Sequence, residues 1–324
     1  MADLVPESPS HSPAPQQPAP LSFDALEALS PLEAFLHTLD LTDTGARTRD
    51  DIFTGPSQWM PHGRVFGGQV AAQSLVAAAR TVSGERPVHS MHGYFLRPGD
   101  VKLPITFAVD RIHDGNSFTT RAVSAFQSGQ PIWSMIASFQ DVDDGFEHEV
   151  SMPEGIPDPD DLPSEADLLE TVKATLGAEA PESLAAYWLM KRPFTMRHVN
   201  GPVYLEPAAD QTPAQAVWIK AVERMPDDPL LHRAAIAYAS DYSILEPIMR
   251  GHGLTWSTPG LRAASLDHGV WWHRDARADE WLLYVQDSPV ARGGRGLSRG
   301  QLFSRDGALV ATVAQEGMVR RKRR

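Results

Sequence analysis

The chain has 324 residues, 42% hydrophobic and 22% charged, a balance that excludes a disordered polypeptide and fits two ordinary domains or one large one. Its net charge of −12 argues against broad nucleic-acid binding, which needs Lys and Arg to neutralise phosphates; the lack of cysteine removes disulfides, zinc thiolates and a thiol nucleophile together. No window approaches the ~18 consecutive apolar residues of a membrane span and no secretory leader opens the chain, so a cytoplasmic protein without stable membrane insertion is expected.

Residues 1–22 are rich in Pro, Ser and Ala, bury almost nothing, and read as a disordered tail. A first module is expected over 23–150. It opens with "PLEAFLHTLDL", where Leu32, Phe35, Leu36 and Leu39 recur at helical spacing. A helical run over 68–82 begins within Gly67-Gly68-Gln69. Its face of Val70, Ala71, Ser74, Ala77 and Ala78 is small enough to let a helix lie close to a sheet. "HGYFLRP" and three strand-like segments complete the module: "LPITFAVDRI", "SFTTRAVSAFQ" and "IWSMIASFQ".

The acid- and proline-rich "SMPEGIPDPDDLPSE" begins a linker, 151–190, that holds one short helix, "ADLLETVKATLG". The second module, 191–324, repeats the first: a helical run over 230–245, then "HGVWWHR", "EWLLYVQD", "RGLSRGQLFS" and "ALVATVAQEG". His92-Gly93 and His268-Gly269 lie 176 residues apart, and Gly129 and Gly307, each before a last strand, 178 apart. The second helix has a stripe of Leu231, Ala235, Tyr238, Tyr242, Leu245 and Met249; Pro247 is expected to end it near Leu245. "ARGGRG" (291–296) reads as a mobile loop, and "RRKRR" (320–324) as a solvated end. A helix wrapped by a bent antiparallel sheet is a hotdog module, so the pattern predicts an α+β fold, a tandem or double hotdog.

Nucleotide-binding glycine motifs of the Walker A and G-x-G-x-x-G types are absent, as is a G-x-S-x-G elbow. No histidine spacing fits a metal site, and His268 and His273 read as structural. Three polar residues stand where apolar ones belong. Asp241 borders the helical stripe, Gln315 shares a strand face with Val313 and Ala311, and Ser265 precedes "LDHGVWW". Regular alternation would put Ser265 and Asp267 on one face, Leu266 and His268 on the other. Patterning alone leaves two readings open: a satisfied buried network, or a catalytic cluster.

"RVFGGQVAAQSL", "VHSMHGYFLRPGD", "DGNSFTTRAVSAFQSGQPIWSMIASFQ", "YASDYSIL", "SLDHGVWWHR", "EWLLYVQD" and "DGALVATVAQEGMVR" occur in that order, and the chain from about 30 to 320 closely resembles the type II acyl-CoA thioesterases. The resemblance implies a double hotdog that hydrolyses fatty acyl-CoA to free acid and CoA without metal, cofactor or covalent intermediate. It also implies homodimers or homotetramers. It places the catalytic Asp at Asp241, the hydroxyl at Ser265, where some relatives have Thr, and the Gln at Gln315. All three fall in the second module; the first has Ala137 near the place of Gln315. The implied mechanism is direct attack by a water held by the three side chains, with Asp241 as general base. Ser265 as an acylated nucleophile is the rival mechanism; a hotdog enoyl-CoA hydratase and a non-catalytic acyl-CoA-binding protein are the rival functions. Gly67-Gly68-Gln69 matches a tripeptide used in ester hydrolysis by translation release factors. Its expected role here is structural, with the glycines letting the first helix begin hard against the sheet; the alternative is that its helix-start N–H groups face CoA or the thioester across the module interface.

Overall fold

The computed structural model describes residues 25, 28–47, 51–177 and 191–321. The tail expected to be disordered (1–22), part of the expected linker (178–190) and the end of the basic C-terminus (322–324) lie outside the described residues.

Helix α1 (Pro31–Leu39) opens with a capping box in which Ser30 and Glu33 each satisfy the other's backbone N–H. The spacing that predicted it buries Leu32, Phe35 and Leu39. The first module continues with β1 (Thr42–Arg47), β2 (Asp51–Gly55), α2 (Gly67–Ala79), β3 (Val88–Phe95), β4 (Ile105–Asp114), β5 (Phe118–Gln127) and β6 (Gln130–Gln140). Helix α3 (Glu165–Leu176) lies in the connection. The second module comprises β7 (Phe194–His198), β8 (Ala214–Ala221), α4 (Pro229–Ser240), α5 (Glu246–Arg250), β9 (Leu261–Ser265), β10 (Asp267–Trp272), β11 (Leu282–Arg292), β12 (Arg295–Ser304) and β13 (Leu309–Arg321).

The strands form one antiparallel sheet ordered β1-β2-β4-β5-β6-β3-β10-β13-β12-β11-β8-β7, with β9 on β13. From either end to the middle the two halves have the same plan, with β3 matched by β10, β6 by β13 and α2 by α4. This is the tandem hotdog expected. The halves join at β3 and β10, where His268 pairs with Gly93 and Gly269 with His92. The two His-Gly motifs therefore meet at the seam, but they are not equivalents: His268 is buried and His92 is exposed. Met91 holds the inward position that matches His268, and it pairs with Ala137 on β6.

One apolar core runs through both modules, with α2 and α4 at its centre. From Gly68 to Ala78 every residue of α2 is buried, so the helix has no solvent face. Phe35, Phe66, Phe194, Tyr238 and Tyr242 form an aromatic cluster between the halves, with Phe66 stacked on Tyr242 at 4.8 Å and edge-on to Tyr238 at 5.0 Å.

Two local expectations are corrected. Helix α4 ends at Ser240 rather than near Leu245, and Pro247 lies in the first turn of a new helix, α5, where its missing N–H costs nothing. The glycines of "ARGGRG" form a tight turn instead of a mobile loop: Gly293 and Gly294 have φ of 65° and 77°, closing the β11–β12 hairpin across Arg292 and Arg295. Among the described residues no helix is long and apolar enough to cross a membrane.

Candidate active site

Asp241 occupies the C-cap of α4, Ser265 ends β9, and Gln315 lies inward on β13, so three separate elements deliver the three side chains. The structure brings them into direct contact. Asp241 Oδ1 accepts from Ser265 Oγ at 3.1 Å and from Gln315 Nε2 at 3.0 Å, and Gln315 Nε2 also donates to Ser265 Oγ at 2.8 Å. Oδ2 of Asp241 accepts from the backbone N–H of Gly68 at 2.9 Å. That donor comes from the other module, at the first turn of α2, where free N–H groups and the helix dipole favour a negative charge.

The contact extends the expected role of the paired glycines, which admit a close approach both to the sheet, where a Cβ at Gly67 would stand 2.8 Å from the Phe95 ring of β3, and to the partner helix. A Cβ at Gly68 would stand 2.2 Å from the Tyr238 carbonyl oxygen of α4, and one at Gly67 would stand 2.7 Å from Asp241 Oδ2. Gln69, the third member of the tripeptide, is fully buried and faces away from Asp241. Its side chain accepts from the Gln58 N–H and donates to Pro56 O and Gln73 Oε1, pinning the loop before α2.

Ser265 reaches Gln315 because the strand does not alternate regularly. Ser265 pairs with Gly317 and Gly269 with Ala314, so three residues on one side oppose two on the other. This bulge at Leu266–Asp267 turns Ser265 and His268 to the same face, contrary to the alternation read from the sequence. Asp267 compensates the disrupted ladder: its Oδ1 accepts from the Glu316 N–H at 2.6 Å.

His268, read from the sequence as structural, lies against the cluster. Its Nδ1 is hydrogen-bonded to Gln315 Oε1, and its Nε2 is 2.9 Å from Ser240 Oγ. No sequence signal marked His268 as part of this arrangement, and the Gly68 N–H, at the helix start the sequence singled out, meets Asp241 rather than a ligand. His273 is elsewhere, on Thr312 Oγ1.

Burial pushes the Asp241 carboxyl above the ordinary carboxylate range; His268, Gln315, Ser265 and the Gly68 N–H oppose that shift by favouring the anion. Burial lowers the His268 imidazole, so its neutral form is favoured. A carboxylate of raised basicity beside a hydroxyl and an oriented amide can hold a water and take its proton. Among the described residues no group of three or more His, Asp or Glu side chains is placed to hold a metal ion.

Asp241 and Ser265 open into a cleft of about 660 Å³ between the modules. Phe66, Val70 and Phe95 line it from the first half, Tyr242, Leu245 and Leu261 from the second, while His62, Arg64 and Arg97 stand exposed at its rim.

The sequence model of the family described as "Acyl-CoA thioesterase" matches residues 194–318, and that of "Acyl-CoA thioesterase N-terminal domain" matches 55–140. The chain is 39% identical to human acyl-coenzyme A thioesterase 8, over 84% of this chain and 86% of that one. It is 37% identical to acyl-CoA thioesterase 2 of Haemophilus influenzae, over 89% and 98%. A crystal structure of an acyl-CoA thioesterase II from Mycobacterium marinum superposes with a TM-score of 0.69 at 38% identity, covering 89% of this chain and 98% of that one. With an antiparallel double module, a polar cluster on the seam and these relatives along most of its length, the chain belongs to the acyl-CoA thioesterase family.

Proposed function

We propose that the protein hydrolyses fatty acyl-CoA to free fatty acid and CoA, with Asp241, Ser265 and Gln315 holding the attacking water. The observation that carries this reading is the convergence of the three side chains, with Asp241 and Ser265 lining the cleft and Gln315 buried behind them. Asp241 takes the proton as the water oxygen bonds to the thioester carbonyl, and collapse of the intermediate breaks the C–S bond, with CoA leaving as the thiol on return of that proton. Asp241 and Ser265 face the water while Gln315 holds both side chains in place, which lowers the entropic part of the barrier. Gly67 lines the cleft at the start of α2, and its N–H, which has no partner among the described residues, is a backbone donor available to the developing oxyanion. Apolar walls suit an acyl chain, and the rim cations Arg64 and Arg97 suit the phosphates of CoA.

Ser265 as an acylated nucleophile is disfavoured because its hydroxyl contacts the Asp241 carboxylate directly and no histidine stands between them. Release of free thiol from acyl-CoAs of several chain lengths tests the activity. Acyl-CoA bound without thiol release would instead mark a carrier, and hydration of an enoyl-CoA a hydratase.

The same reading divides the chain into modules 23–150 and 191–324 joined by 151–190, and takes it as a cytoplasmic homo-oligomer that binds no nucleic acid. Support for self-association comes from the outer face of the seam, where Tyr94, Ile136 and Trp271 are exposed around Gly269. Trp271→Lys should lower the mass measured by light scattering; an unchanged mass would move the contact elsewhere.

A further inference from the structure

We propose that His268 is a positioning residue that fixes which way round the Gln315 carboxamide lies. The inference rests on the reading of Gln315 given above. A carboxamide has one oxygen that only accepts and one nitrogen that only donates, and rotating it by half a turn exchanges them. His268 Nδ1 lies on the oxygen side. With a proton there, Oε1 is held as the acceptor, and both hydrogens of Nε2 turn to Asp241 Oδ1 and Ser265 Oγ, 3.0 and 2.8 Å away. The opposite orientation would set the amide oxygen against the Asp241 carboxylate, acceptor against acceptor, and leave Ser265 without its donor.

The imidazole tautomer depends in turn on α4. For Nδ1 to carry the proton in a neutral ring, Nε2 must accept the single hydrogen of the Ser240 hydroxyl, whose Oγ stands 2.9 Å from Nε2 and 3.0 Å from the competing Ala237 carbonyl oxygen. Ser240 immediately precedes Asp241, and its carbonyl accepts from the Tyr284 hydroxyl at 3.1 Å. The end of α4 thus places the carboxylate and, through one histidine, orients the amide that donates to it. His268 is fully buried and faces Asp241 from the end of α4, Asp267 from its own strand and His92 from β3. The first module supplies a contrast: Met91 and Ala137 fill the equivalent strand positions, so histidine and glutamine are present together in one half and absent together from the other.

Two polar substitutions separate this role from packing alone. Asparagine at 268 carries its amide near the Nδ1 position, whereas glutamine reaches towards Nε2. In H268N kcat should stay near that of the unsubstituted enzyme; in H268Q it should fall about 10- to 100-fold with little change in KM, as expected for a misplaced reactive group. The acid limb of the kcat/KM profile should move to higher pH in H268Q, because Asp241 loses a donor that favours its anion. Adding H268Q to Q315A should slow that variant no further. Equal rates for folded H268N and H268Q, or independent multiplication of the H268Q and Q315A losses, would overturn the proposal. Full turnover by Q315A and D241N would instead remove the water-holding reading on which it depends.

Discussion

At the strand positions where the second module holds His268 and Gln315, the first holds Met91 and Ala137, within sheets built to the same plan. A methionine and an alanine satisfy a buried site by packing alone. A histidine and a glutamine need partners, and they find them in Ser240, Ser265 and Asp241. The shared architecture therefore does not determine the chemistry of either half. Nor is the first half passive: it contributes the Gly68 N–H to Asp241 and the Phe66 and Phe95 walls of the cleft. The difference teaches that duplication supplied two equivalent scaffolds, and that one polar cluster draws on both.

The largest expected effect comes from removing the charge that distinguishes the second half. Asp241→Asn should lower kcat for thiol release by about 10²–10⁴-fold, the usual contribution of a general base. Gln315→Ala, which gives the second half the residue of the first, should cost about 10²–10³-fold, comparable to losing a preorganised donor. The converse change sharpens the comparison. Met91→His with Ala137→Gln should create no second site, and should lower stability to urea by ~1–3 kcal/mol because the new polar groups are buried without designed partners.

Gly68→Ala breaks the connection between the halves. Its Cβ meets the Tyr238 carbonyl, so a loss of ~1–3 kcal/mol in urea unfolding is expected, with slower turnover in the folded fraction. The pH dependence follows from the direction of the Asp241 shift. The base must be ionised and burial raises its pKa, so kcat/KM should fall as pH is lowered through that raised value, beginning above the range of an exposed aspartate. A flat profile across that range would break the assignment of Asp241 as base. The smallest effect is expected for Ser265→Thr, which keeps the hydroxyl and restricts its rotamer; turnover should remain close to that of the unsubstituted enzyme.

Most of the strand plan was legible because the segments alternate or run apolar between turn residues: the three predicted strands of the first half fall within β4, β5 and β6 to within a few residues. The short outer strands β1, β2, β7 and β8 escaped notice, since their sequences carry weaker patterns than the central ones. Asp241, Ser265 and Gln315 stood out as polar residues in apolar company, and the family resemblance selected them. Alternation failed at Leu266–Asp267 because a bulge inserts one residue, which flips the face of everything beyond it. The His-Gly repeat misaligned the halves for a related reason: the motif matches by letter, but a side-chain period of two makes an offset of one residue exchange inside for outside.

The sequence by itself determined the local periodicities, the duplication and the identities of the polar residues, because these depend on neighbours a few positions away. The tertiary structure alone decided that α2 begins against the end of α4, that Gly68 donates to Asp241, and that His268 rather than His92 faces inward to Gln315. Those facts depend on the pairing of β3 with β10 and on the close contact of two helices, interactions between residues far apart in the chain whose geometry no local pattern encodes.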